Sequence, residues 1–191
     1  MLLLVIGLLL FLGAHSARLL APDWRQASIE RIGPSNWRLL YSAVVIAGLL
    51  LIILGYGHAR LEALPWWTPP VWTRHLAALL MLPAFILLTA TYVPGSALRA
   101  RIGHPMLAGL KLWALAHLLA NGTPVDVLLF GSFLAWAVLA FALSRRRDRE
   151  ASVQQPAGRL RADVLSVLIG GGLWFVFARY LHLALFGVQP F

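Results

Sequence analysis

Apolar residues in this chain come in segments of about 20 that few polar side chains interrupt, the length an α-helix needs to cross the hydrocarbon core of a bilayer. Runs such as Leu2–Leu12 and Val44–Leu54 have no polar face to turn toward water. A helix that is apolar all round belongs in lipid or in a large protein core. Hydrophobic residues make up 60% of the 191 positions and charged residues 12%, against about 25% charged in an ordinary soluble domain. The fold class expected is an all-α integral membrane protein, with the lipid bilayer as its first partner.

Long apolar runs bounded by Pro, Gly or charge predict six transmembrane helices, at Leu2–Leu20, Trp37–Gly57, Val71–Val93, Pro105–Ala120, Val125–Leu143 and Asp163–Gly187. The fourth is the shortest, and Lys111 and His117 interrupt it, which assigns it to the interior of the bundle. Pro83 is expected to kink the third. Residues 1–191 read as a single transmembrane domain. Residues 144–161, with the run Arg145-Arg146-Arg147-Asp148-Arg149-Glu150 followed by Gln154-Gln155-Pro156-Ala157-Gly158, read as a solvated basic loop. Ala14-His15-Ser16 loosely resembles a signal cleavage site, but the segment lacks a basic start and is read as an uncleaved helix. Trp66, Trp67 and Trp72, among Pro65, Pro69 and Pro70, suit an interfacial aromatic belt.

Lys and Arg are retained on the cytoplasmic side of a membrane protein. Twelve arginines fall in or beside the first, third and fifth links: Arg18, Arg25, Arg31, Arg38, Arg99, Arg101, Arg145, Arg146, Arg147, Arg149, Arg159 and Arg161. The second link has only Arg60 and Arg74, and the fourth has none. This bias places both termini outside, the periplasm in a bacterial inner membrane, and residues 144–161 in the cytoplasm. The formal charge of +9 is spread between apolar blocks, so its partners are anionic lipid headgroups rather than nucleic acid.

With no Cys in the chain, disulfides, zinc-thiolate sites and cysteine nucleophiles are excluded. GxSxG, P-loop and HExxH motifs and paired intramembrane carboxylates are missing too. The six histidines are the informative polar residues, because ionisable groups within spans cost several kcal/mol and usually mark a site. At about 1.5 Å per residue, His15 and His104 fall toward the cytoplasmic side and His58, His75, His117 and His182 toward the outer side.

His104 is expected to cap the fourth helix ahead of Pro105, with Asn121-Gly122 closing it. Leu110, Trp113, Ala114, His117 and Asn121 form one stripe, whereas His104 and Lys111 lie on another. His117 therefore needs a partner from a different helix. His15, with Arg18 one turn on, is the pairing a haem uses, imidazole on iron and guanidinium on a propionate. Arg179 and His182 offer a second such pair, and Lys111 needs an anion or a carbonyl. The bland reading is that these histidines hydrogen-bond neighbouring helices and lock the bundle. His15 and His117 are the first candidates for ligands, His104 and His182 the next. His58 and His75, beside Arg60 and Arg74, read as headgroup contacts.

The chain resembles the NnrU family of bacterial membrane proteins over essentially its whole length. The resemblance rests on Phe11-Leu12-Gly13-Ala14-His15-Ser16-Ala17-Arg18, Arg74-His75, His104-Pro105 through Asn121-Gly122, and Leu181-His182 before Phe186-Gly187-Val188. That family is similar in turn to 15-cis-zeta-carotene isomerase, a haem b membrane enzyme, through the pattern HPxxxGxxxWxLAHxLxxG. Here it is filled by His104, Pro105, Gly109, Trp113, Leu115, Ala116, His117, Leu119 and Gly122. The resemblance implies haem b ligated by His15 and His117. The isomerase has Cys where Ala114 stands, so its redox-linked change of ligation and its carotenoid substrate do not carry over with the haem. The family name implies a link to denitrification and nitric oxide handling.

Three expectations follow. One is a haem protein with a redox or isomerase-like role, Arg18 and Lys111 on propionates, and a hydrophobic small molecule or nitric oxide bound near Trp113, Phe133 and Trp136. The second is a non-enzymatic accessory or assembly factor, or a small carrier, with structural histidines. The third, transport through a polar path of His104, Lys111 and Arg179, is opposed by the absence of acidic residues from the middle of the spans and of an internal repeat. Substrate and oligomeric state are left open.

Overall fold

A computed structural model describes residues 1–154 and 157–190, and these are helical almost throughout. In chain order the helices are α1 (Leu2–Leu20), α2 (Pro22–Ile32), α3 (Pro34–Glu62), α4 (Val71–Tyr92), α5 (Ala97–Ile102), α6 (Pro105–Ala120), α7 (Pro124–Glu150) and α8 (Leu160–Val176). A π-helical turn, Phe177–Leu181, joins α8 to the short α9 (His182–Phe186). Five helical stretches are long and apolar enough to cross a membrane: α1, α3, α4, α7 and the continuous Leu160–Phe186. Pro105–Ala120 is apolar but shorter.

Five of the six predicted spans coincide with these membrane-length helices, with differences at the ends, and the sixth, Pro105–Ala120, is a helix of 16 residues. α3 begins at Pro34 rather than Trp37, because Pro suits the first turn, where its missing N–H costs nothing. The link after α1 forms a short helix, α2, with Pro22 and Asp23 in its first turn. α7 continues past Leu143 to Glu150, so the first part of the predicted loop is helix. Gln155 and Pro156 of that loop lie outside the described residues.

α7 stops without a glycine. Val153 N donates to Asp148 O (2.9 Å) and Ser152 N to Arg149 O (3.1 Å), with Ser152 at φ 49°. This is the Schellman pairing, with serine in the left-handed position that Gly usually fills. Four arginines in the last two turns lie near the negative end of the helix dipole, where cations are favoured.

The described residues form two compact units. The first comprises Met1–Trp66 with Thr123–Ser132. In it α1 and α3 run antiparallel with their backbones in contact. A Cβ on Gly7 would stand 2.6 Å from Ile52 N, and one on Gly48 2.8 Å from Phe11 N. A Cβ on Gly55 would overlap the backbone of Leu3 and Leu4. Leu4 and Leu8 are buried in this seam. Small residues at such spacing let helices approach closely in lipid, where packing rather than the hydrophobic effect drives association.

The second unit comprises Trp67–Gly122 and the chain from Phe133. α4 is its centre, packed by α6 and by α8. The α6 contact is close at Gly109, whose Cβ would stand 2.9 Å from Ala84 O, and the α8 contact at Gly170, beside Ile86. Trp174 Nε1 donates to Ala78 O across the latter (3.1 Å). Asp163 ties α5 to α8, accepting from Ser96 Oγ (2.7 Å) and Leu98 N (3.0 Å).

Candidate functional site

In the first unit, His15 lies on the α1 stripe that continues the packing face of Leu4, Leu8 and Phe11. Its Nδ1 is 2.7 Å from Phe11 O. A carbonyl oxygen only accepts, so Nδ1 carries the proton and the basic lone pair is on Nε2. The imidazole sits against Phe11 (ring centroids 4.4 Å apart) and edge-on to Tyr41 of α3 (5.9 Å). Arg18 is exposed in the last turn of α1.

In the second unit, α6 carries the other histidine under the same local arrangement. His117 Nδ1 is 2.8 Å from Trp113 O, so it too carries its proton on Nδ1 and its lone pair on Nε2. Trp113 stacks beside it (5.2 Å) and meets Phe133 edge-on (5.4 Å). Asn121 Nδ2 donates to His117 O (2.8 Å), closing the helix end as its position suggested. Gly122 follows, its Cα so close to Trp67 that no side chain would fit, and Trp67 N donates to Gly122 O (3.4 Å).

The remaining candidates are engaged elsewhere. His104 occupies the cap position ahead of α6 without capping it. Its Nε2 instead meets Asp148 Oδ2 of α7 at 3.0 Å, and its ring meets Phe141 edge-on at 6.2 Å. Lys111, seven residues further along α6, places Nζ 3.7 Å from the centre of the Phe141 ring. That cation–π contact is the partner the sequence required, an aromatic face rather than a carbonyl or an anion. His182 Nδ1 bonds Val188 O (2.7 Å) at the chain's end, between Phe177 and Phe186. Arg179 lies over Tyr180, and Trp136 is half-buried. His58 and His75 are exposed, each at the end of a helix.

One buried carboxylate went unread in the sequence. Asp126, 4% exposed in the first turn of α7, accepts Tyr56 Oη on Oδ1 (2.7 Å). Its Oδ2 accepts Thr123 N (3.0 Å) and Thr123 Oγ1 (2.6 Å), while its own N–H donates to Thr123 Oγ1 (3.2 Å). This is a capping box, and Thr123-Pro124-Val125-Asp126 spells its signature.

Among the described residues, no three His, Asp or Glu side chains gather to hold a metal ion. The tautomer shared by His15 and His117 is the one in which a ligating histidine gives its other N–H to a carbonyl. No curated protein and no solved structure matches this chain. The sequence profile described as NnrU protein matches residues 3–190. Given that near-complete match, this helical, membrane-crossing chain belongs to the NnrU family.

Proposed function

We propose that this protein is a six-span protein of the bacterial inner membrane that binds haem b, with His15 and His117 as axial ligands. The observation that carries the reading is their common preparation. In each, the carbonyl four residues back fixes the Nδ1–H tautomer, which makes Nε2 the nitrogen that would bind iron, and an aromatic ring on that same residue packs against the imidazole. Fixing the tautomer in this way raises ligand basicity. Asn121 braces the carbonyl of His117, and Trp113 walls its ring. Arg18 would supply a cationic group for the propionates, and Lys111 a second if it left the Phe141 ring. When bound through these histidines, the haem would supply one-electron redox chemistry.

The biological role proposed is redox or isomerase-like, or one linked to denitrification and nitric oxide handling, with a hydrophobic small molecule or nitric oxide near Trp113, Phe133 and Trp136. A specific observation favours a structural role for His104, whose bond to Asp148 spans two helices. On the competing reading all the histidines do the same, in an accessory or assembly protein.

The test is the visible spectrum, oxidised and dithionite-reduced, of the detergent-purified protein expressed with added haem, beside His15→Ala and His117→Ala. The expected result is a low-spin b-type spectrum that either substitution abolishes or turns high-spin. A colourless wild type overturns the haem reading and leaves the accessory one.

A further inference from the structure

The end of α7 carries a cavity that the haem reading does not use. It has a volume of about 340 Å³ and is lined by Arg145, Asp148, Arg149, Ser152 and Val153. Arg145 and Arg149 are four residues apart, hence on one helical face. Among the described residues the ion pairs are His104–Asp148 and Arg146–Glu150, and neither takes up Arg145 or Arg149. The one acid in the wall, Asp148, pairs with His104, and the two arginines outnumber it.

Arg145 is positioned by its surroundings. Gly103, at φ 77°, faces it across the helix pair, and a Cβ there would stand 2.9 Å from Arg145 Nη1. The lack of a side chain at Gly103 is what gives the guanidinium its room. On the far wall Ser152 holds the strained left-handed position of the α7 terminus and brings a hydroxyl where Gly would bring none. Strain of this kind concentrates at functional sites.

We propose that this cavity binds a phosphate-bearing anion, Arg145 and Arg149 taking the phosphate oxygens and Ser152 adding a hydroxyl. The position of the site in the chain points to a lipid headgroup as the source. The apolar part of α7 ends at Leu143. At about 1.5 Å per residue, Arg145 and Arg149 lie roughly 3 and 9 Å beyond that point. The headgroup layer on each side of a bilayer is about 5–7 Å deep, so the two guanidinium groups bracket the phosphates of an anionic lipid.

Calorimetric titration of the detergent-purified protein with short-chain phosphatidylglycerol tests this, with inorganic phosphate as second titrant and as competitor. Arg145→Gln and Arg149→Gln are each expected to weaken saturable binding about tenfold, the loss of one charge-assisted contact. Arg146→Gln removes the same charge from the same helix, outside the cavity, and is expected to change binding less than twofold. If a Gln variant loses its helical circular dichroism, the corresponding Lys variant replaces it. Lys keeps the charge but not the planar fork, and a severalfold loss is still expected. Lipid binding that millimolar phosphate does not displace identifies the headgroup as the ligand, and displacement identifies free phosphate. Absence of saturable binding by either titrant, or an equal loss in Arg146→Gln, overturns the site and reduces it to diffuse charge attraction.

Discussion

Asp126 shows how much one residue can hold in an apolar chain. Three donors converge on its carboxylate: Tyr56 Oη, Thr123 N and Thr123 Oγ1. Truncating the acceptor strands all of them, half-buried, at once, whereas removing one donor leaves the carboxylate with two. The cost of an unsatisfied buried group, about 1–3 kcal/mol, exceeds the net worth of a single made bond, about 1 kcal/mol. Asp126→Ala is therefore expected to lower the melting temperature in detergent by clearly more than Tyr56→Phe. Equal effects would mean that Tyr56 supplies most of the stabilisation. The Thr-x-x-Asp spacing was readable, but attention to acids within spans passed over one placed at a helix start. The cap position of His104 and the closing role of Asn121 were legible, because they follow from Pro105 and from a local i−4 bond. The partners of His104 and Lys111 were not, because Asp148 and Phe141 lie 44 and 30 positions away, and one sequence carries no record of such pairings.

At the scale of elements, the apolar runs located every long helix, since a lipid-facing segment has to be apolar for most of its length. What escaped was helix made of polar residues. α2 has no buried residue and no apolar run to announce it. The last turns of α7 consist of arginines and acids ending at Ser152, where a reader looks for Gly. The seam between α1 and α3 was legible only as scattered glycines. Its energetics rest on backbone contact at Gly7, Gly48 and Gly55, where even a methyl group has no space. Gly48→Leu is expected to separate the helices and cost several kcal/mol, seen as loss of a cooperative thermal transition, because overpacking of a tight contact is poorly relieved. Gly57→Leu, where a Cβ meets nothing within 4 Å, is the matched control and is expected to leave the transition in place.

At the scale of the whole molecule the open question is the number of crossings, and α6 decides it. Its 16 residues extend about 24 Å, short of the roughly 30 Å hydrocarbon core, and Lys111 lies within it. If α6 crosses, the arginines divide twelve against two. If it does not, the six from Arg145 to Arg161 join Arg60 and Arg74, making eight. Opposite them would stand seven: Arg18, Arg25, Arg31, Arg38, Arg99, Arg101 and Lys111. A balance of eight to seven gives the insertion machinery no direction, whereas twelve to two does. Lys111 is also provided for, its charge set on the Phe141 ring rather than left in lipid. Six crossings are therefore expected, with both termini outside. The chain has no Cys, so single cysteines at Ser35, Thr68, Ala151 and Gln189, all exposed, can be probed on intact spheroplasts with a membrane-impermeant maleimide. Thr68→Cys and Gln189→Cys are expected to label directly, and Ser35→Cys and Ala151→Cys only after permeabilisation. Direct labelling of Ala151→Cys with Thr68→Cys, and protection of Gln189→Cys, would instead make α6 a re-entrant helix. Its charge bias would then need a source other than the arginines of this chain.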